Sequence, residues 1–280
     1  CDSLVDWCSW QLDEGYRGEM ECIIAKIFGS ESQKEAAIEL CMKTHGGRAF
    51  LHGHLFGDNV HEFLAPCIYE GEGEMLGMAF LKSLIKNHGR RFYEPIGRRA
   101  AALGLKRPNP ANPLHAWGLR REIGSYGLWK FQQLLVGWKR PRLDLKCRRL
   151  ERLARFAADG LQRARLEIDS LMVRHQLKLP DRQISMAALS QKIQDQVVML
   201  VSALWADAHG DPLVREAAVV LGNDFHARLT GRPATGRDIR TATRLGEAIT
   251  KDGFVLLDGI VPDDILMRYD DTPTDSQTVS

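Results

Sequence analysis

Residues 19–47, EMECIIAKIFGSESQKEAAIELCMKTHGG, decide the fold class. Ile23, Ile24, Ile27, Phe28, Ala36, Ala37, Leu40 and Cys41 recur at the three- and four-residue steps that line one side of a helix, with polar residues opposite. The spacing predicts an amphipathic helix over 19–44 that stops at Gly46-Gly47. Those glycines suit a helix C-cap, and equally a close approach of backbone to a ligand.

Reading outward, Gly53, Gly57, Asp58, Asn59 and Pro66 predict a loop over 48–71 with at most a short helix at 59–64 and a tip at Ile68-Tyr69-Glu70-Gly71. Met75, Leu76, Ala79, Phe80, Ser83 and Leu84 then share a face, predicting a helix over 72–87 that stops at His88-Gly89. From 105 to 127, Pro108, Pro110, Pro113, Gly118, Gly124 and Gly127 interrupt each helical run, which reads as a linker or an extended strap. Trp117, Trp129 and Trp138 stand there among Arg120, Arg121, Lys130, Lys139 and Arg140. Such rings stack on bases, anchor at a lipid interface, or dock the strap onto a helical body. A second helical unit follows. Its stripes run from Leu150 to about Leu177 and from Met186 to Ala208, a third helix opens at Asp211-Pro212, and a fourth spans about 235–251. Phe254-Val255-Leu256-Leu257 is a short docking or extended segment, and the end beyond Tyr269 reads as frayed.

The class is therefore all-α, in three parts: 1–88, a basic strap over 89–145, and a helical extension over 146–280. At 280 residues, 44% apolar and 26% charged, the chain has the composition of a globular protein rather than a disordered or collagenous one. The richest apolar run, Val197 to Ala206, lies between Asp195 and Asp207 and falls short of the roughly 20 residues a membrane span needs. Cys1 stands first, with no basic stretch or cleavage site after it, so the chain is read as a piece of a longer polypeptide. Lys and Arg number 6 against 14 acids over 1–85, 20 against 5 over 86–165, and 12 against 17 over 166–280. The middle is a basic belt, suited to an anionic membrane surface, nucleic acid, a phosphate-bearing substrate or a subunit face. Six cysteines show no C-x-x-C pair, which fits a reducing intracellular compartment, and His52, His54 and His61 lack the partners that would complete a metal site.

The chemistry centres on Glu70. A carboxylate between the apolar Ile68-Tyr69 shoulder and Gly71 is expected to sit in a low-dielectric pocket, where it is tuned to act as a general base. Ala25-Lys26-Ile27-Phe28, His45-Gly46-Gly47 and Ile68-Tyr69-Glu70-Gly71, in that order and spacing, resemble the C-terminal helical domain of the acyl-CoA dehydrogenase family over residues 5–88. The resemblance implies the end of a four-helix bundle and an FAD enzyme of fatty-acid β-oxidation that converts an acyl-CoA thioester to the trans-2-enoyl-CoA. By the same analogy Glu70 removes the α-proton, Tyr69 and Gly71 contact substrate, and His45, Gly46, Gly47 and Glu72 contact FAD, the diglycine reaching a neighbouring subunit's flavin. Electron-transfer flavoprotein or a similar acceptor, a homo-oligomer, and a mitochondrial matrix or bacterial cytoplasmic setting follow from the analogy. Three positions depart from the family pattern: Glu72 stands where Thr or Ser is usual, His61-Glu62 replaces an Arg-Asp pair, and His45-Gly46-Gly47-Arg48-Ala49-Phe50 lacks a further glycine or aromatic. The family's N-terminal helical domain and middle β-barrel have no counterpart in these residues. The fragment alone is therefore expected to be inactive. A flavoprotein relative without dehydrogenation, holding nucleic acid or membrane on its basic belt, is the alternative reading.

Overall fold

The computed structural model describes residues 1–105, 112–136, 142–261 and 263–267. Its main helices are α1 (Asp2–Asp13), α2 (Glu19–Lys34), α3 (Val60–Ile68), α4 (Gly73–Ala102), α5 (Arg120–Phe131), α6 (Arg148–His175), α7 (Gln183–His209), α8 (Pro212–Thr230) and α9 (Gly236–Asp252). Among the described residues there is no strand, only a single antiparallel bridge between His54 and Leu266. The all-α class is as the periodicity requires. Trp138, Lys139, Arg140, Pro108, Pro110 and the end beyond Tyr269 lie outside the described residues.

One hydrophobic core runs through both helical units. Leu4 of α1, Ile24 of α2 and Phe80 and Leu81 of α4 join Leu153, Ala157, Ala164 and Ile168 of α6, Ile193, Val198 and Met199 of α7, and Phe225 of α8. Helix α7 is the axis of this arrangement, buried on several sides, including Ser190, Gln194 and Gln196. Gly77 lets α4 cross it closely: Ser190 Oγ donates to the Gly77 carbonyl at 2.6 Å, and a β-carbon at Gly77 would stand 3.1 Å from Gln194 Nε2. A second, smaller core of Leu150, Ala154, Ala203, Ala206, Val214 and Val219 is closed by Phe254 and Leu256, so the short apolar segment docks. Asp207 of α7 accepts from the backbone N–H groups of Lys146 and Cys147 at 2.9 and 2.8 Å, tying down the residues that lead into α6.

Four local expectations change. The predicted 19–44 helix passes into π-helical turns over Glu35–Met42. Each π turn takes up an extra residue, so the stripe rotates and Leu40 ends 59% exposed. The 48–71 loop is shorter than expected, because α3 runs to Ile68 with Pro66 inside it. Helix α4 does not stop at His88-Gly89 but continues to Ala102, through Pro95. One glycine costs a helix only about 1 kcal/mol, and the continuation buries Phe92 and Ala100. The strap, finally, is helical over Pro113–Gly118 and Arg120–Phe131 rather than extended.

What holds α5 in place is a buried carboxylate. Asp169 of α6 has no solvent exposure and accepts from His88 Nε2 at 3.1 Å, Tyr93 OH at 2.8 Å, Tyr126 OH at 3.0 Å and Lys130 Nζ at 2.9 Å. Phe92 and Trp129, with centroids 4.6 Å apart, and His88 and Trp129, 5.1 Å apart, cover it. Trp129 thus docks the strap, whereas Trp117 is 69% exposed beneath the Arg120 guanidinium. Burial alone would raise the Asp169 pKa, but hydrogen bonds from Lys130, Tyr93, His88 and Tyr126 outweigh it and hold the carboxyl below its usual range. The Asp169 contact holds the Lys130 ammonium above its usual range, and burial pushes the Tyr93 phenol up.

Two outcomes follow for stability. Phe80→Ala should cost about 3–5 kcal/mol and lower a single unfolding transition, seen alike in hydrogen exchange of α2 and of α7; separate transitions would show independent units. Asp169→Asn should cost about 3 kcal/mol and release α5, raising amide exchange across Arg120–Phe131. Because the Asp169 pKa is depressed on folding, its contribution is complete above about pH 4 and is lost as pH falls through the folded value. Exchange in α5 that ignores acid over this window would contradict the assignment.

Candidate functional site

The Glu70 loop joins the C-terminus of α3 to the N-terminus of α4. Tyr69 leaves the helix in an extended conformation, and Glu70 then adopts φ 59°, the left-handed region that a residue with a β-carbon occupies at a cost of roughly 1–2 kcal/mol. Gly71 follows at φ 107°, and a β-carbon there would stand 2.8 Å from Leu76 Cδ2, so both backbone and space call for glycine. From beneath, Lys26 Nζ of α2 donates to the Gly71 carbonyl. Helix α2 therefore braces the loop through the lysine of the Ala25-Lys26-Ile27-Phe28 run.

Glu70 is exposed at the tip, and its backbone N–H makes no hydrogen bond among the described residues. The expected enclosure is not found among the described residues: Ile68 and Tyr69 are themselves 62% and 69% exposed. The reason is geometric, since α3 ends one residue before the turn and its last side chains face outward. Glu72 does not reach toward a ligand but caps α4, accepting from the Met75 N–H at 3.0 Å. The backbone N–H groups of Glu74 and Met75 hold its carboxyl below the usual range. Beside the loop, between α2, the start of α4 and α7, lies an open cleft of about 740 Å³. Glu72, Glu74 and Glu31 line it, with Lys34; Glu70 does not.

The diglycine lies in a second loop. His45 ends a single helical turn, Lys43–His45, and Gly46 turns the chain at φ 59° into a short 3₁₀ segment, Gly46–Phe50. Both glycines are exposed, and nothing lies within 4 Å of the place where either β-carbon would stand. Behind them His54, fully buried, accepts from the Gly57 N–H at its Nδ1 (3.1 Å), which leaves the proton on Nε2 to donate to His45 Nδ1 at 3.1 Å. His45 thus keeps its own proton on Nε2. The C-terminal segment locks this loop: Leu55 N–H donates to the Ile265 carbonyl at 2.8 Å and Met267 N–H to the Gly53 carbonyl at 3.1 Å. His52 stands 3.4 Å from Asp58. No hydrogen bond links the diglycine loop to Tyr69, Glu70 or Gly71 among the described residues.

The structure brings Tyr69, Glu70, Gly71 and Glu72 into one turn, and His45, Gly46 and Gly47 into another. Three features escape the sequence reading: Lys26 as the brace, His54 as the partner of His45, and the Asp169 cluster. Only the last has a signal in the pattern, an acid directly beside Ile168 of the buried α6 stripe.

No helix among the described residues is long and apolar enough to cross a membrane. All six cysteines are free. No curated protein and no solved structure matches the chain. A family model described as acyl-CoA dehydrogenase, C-terminal domain, matches residues 2–85 and leaves the rest unassigned. That span holds both loops and ends inside α4, so residues 2–85 are similar to the C-terminal helical domain of the acyl-CoA dehydrogenases, a family of FAD enzymes.

Proposed function

We propose that residues 2–85 supply the base for oxidation of an acyl-CoA thioester to the trans-2-enoyl-CoA. The observation that carries this is the left-handed backbone of Glu70 on a braced turn, with its N–H free beside its carboxylate. Non-glycine residues in that region cluster where a site needs a side chain held at a fixed angle. The Glu70 carboxylate takes the proton from the carbon next to the thioester carbonyl, and its N–H donates to the carbonyl oxygen as negative charge gathers there. FAD, when bound, supplies the acceptor for the hydride leaving the next carbon.

The residues present fit one edge of that cofactor. Gly46 and Gly47 leave their backbone open to close approach, and His45 offers an Nε2 proton because His54 fixes its tautomer. Glu72 is withdrawn from this role by its cap. A neighbouring subunit of a homo-oligomer would lay its own surface over Tyr69 and Glu70 and provide the dry enclosure not found among the described residues, excluding water from the carboxylate.

In the flavin-loaded protein, Glu70→Gln should lower kcat/KM for a long acyl-CoA by about 10²–10⁴-fold while the yellow colour persists. Undiminished flavin reduction by the variant would overturn the proposal. The backbone makes a separate forecast for chemical denaturation. Glu70→Gly should stabilise by about 0.5–1 kcal/mol, since it removes the left-handed cost, whereas Gly71→Ala should destabilise by more than about 1 kcal/mol. Equal signs for the two would contradict the described turn.

A further inference from the structure

A cavity of about 300 Å³ opens between the start of α6, the middle of α8 and the start of α9, outside the matched segment. Arg149, Arg152, His226, Arg237 and Asp238 line it, and the rings of Phe156 and His226, with centroids 4.6 Å apart, form one wall. The charges there divide into closed pairs and open ones. Arg149 is held by both carboxylate oxygens of Glu216. Asp238 accepts from Asn223 Nδ2 at 3.0 Å on one oxygen, and from Thr235 N–H and Oγ1 at 2.9 and 2.6 Å on the other. The α9 N-terminus is therefore already capped and does not itself recruit an anion. Arg152 and Arg237 make no hydrogen bond or close ion pair among the described residues, but after the Thr235 hydrogen bonds the nearby Arg237 charge helps hold the Asp238 carboxyl below its usual range.

With Arg149 held by Glu216, Arg152 and Arg237 still leave the cavity a cationic excess over Asp238, which suits an anion. A phosphomonoester carries about −1.5 to −2 charge near neutral pH with three acceptor oxygens, and guanidinium forks engage it bidentately. The volume is at the lower end of small-molecule pockets and exceeds the needs of phosphate alone. The Phe156 and His226 rings, inclined at 57° to each other, offer aromatic surface for what the phosphate is attached to. We propose that this cavity binds a small organic phosphomonoester bearing a flat ring, with Arg152 and Arg237 on the phosphate and Phe156 and His226 against the ring. The site stands apart from Glu70, so neither reading depends on the other.

Calorimetric titration of the full 280-residue chain with phenyl phosphate at low ionic strength tests this. The expected result is saturable one-to-one binding that weakens at least about tenfold in the double variant Arg152→Gln/Arg237→Gln. Benzoate, with the same ring and half the charge, should bind at least about tenfold more weakly. Phe156→Leu should weaken phenyl phosphate and leave inorganic phosphate unchanged. If the double Gln variant loses its thermal transition, Arg152→Lys/Arg237→Lys, which keeps the charge and removes the fork, replaces it and should weaken binding several-fold. Unsaturable binding, or equal affinity in the folded double variant, would overturn the site. Binding of phosphatidic-acid vesicles through Arg152 and Arg237 without binding of phenyl phosphate would overturn the small-molecule assignment and make the phosphate a lipid headgroup.

Discussion

Helix α7 is the constraint on which the remaining structure rests. The apolar faces of α1, α2 and α4 converge on Ile193, Val198 and Met199, and α6 and α8 pack onto the same helix from other sides. A helix surrounded in this way cannot present a polar face freely. Ser190, Gln194 and Gln196 are buried in it, and Ser190 is reconciled with burial by its bond to the Gly77 carbonyl. The acyl-CoA dehydrogenase-type segment is thereby seated on the C-terminal unit rather than merely followed by it.

That seating explains how a strained turn persists. Glu70 adopts an unfavourable backbone angle on an exposed loop, where relaxation would ordinarily be easy. The turn is overdetermined instead: Lys26 holds Gly71 from α2, Leu76 fills the space beside it, and Glu72 fixes the first turn of α4. All three belong to elements anchored in the shared core. The diglycine loop is supported differently, by a buried histidine and by the C-terminal segment, so the two loops are stiffened by separate means.

Much of this was legible in the residue pattern. The stripes of α6 and α7 place their helices within two or three residues of the observed ends, because a long apolar face at helical spacing has few alternative structures. Asp211-Pro212 and Thr235 mark the starts of α8 and α9 through local cap chemistry. The Glu70 tip and the diglycine were visible as motifs. Their surroundings were not, since the Lys26 brace joins residues 45 positions apart and Glu70 is left exposed among the described residues. His88-Gly89 suggested an end to α4 because local propensity ignores what Phe92 and Ala100 gain by burial. Likewise α5, with Gly124 and Gly127 and no apolar stripe, is fixed by Asp169 from another helix, a partner that local spacing does not reveal.

The shared core also sets an order of events during synthesis. Leu4, Ile24 and Phe80 emerge from the ribosome well before Met199, which lies more than a hundred residues later. At about 5–20 residues per second, the interval is roughly 6–24 s, during which the nascent N-terminal helices hold apolar surface without its final cover. That interval is when chaperone capture or misassociation would compete with folding, and it ends only when α7 has been made.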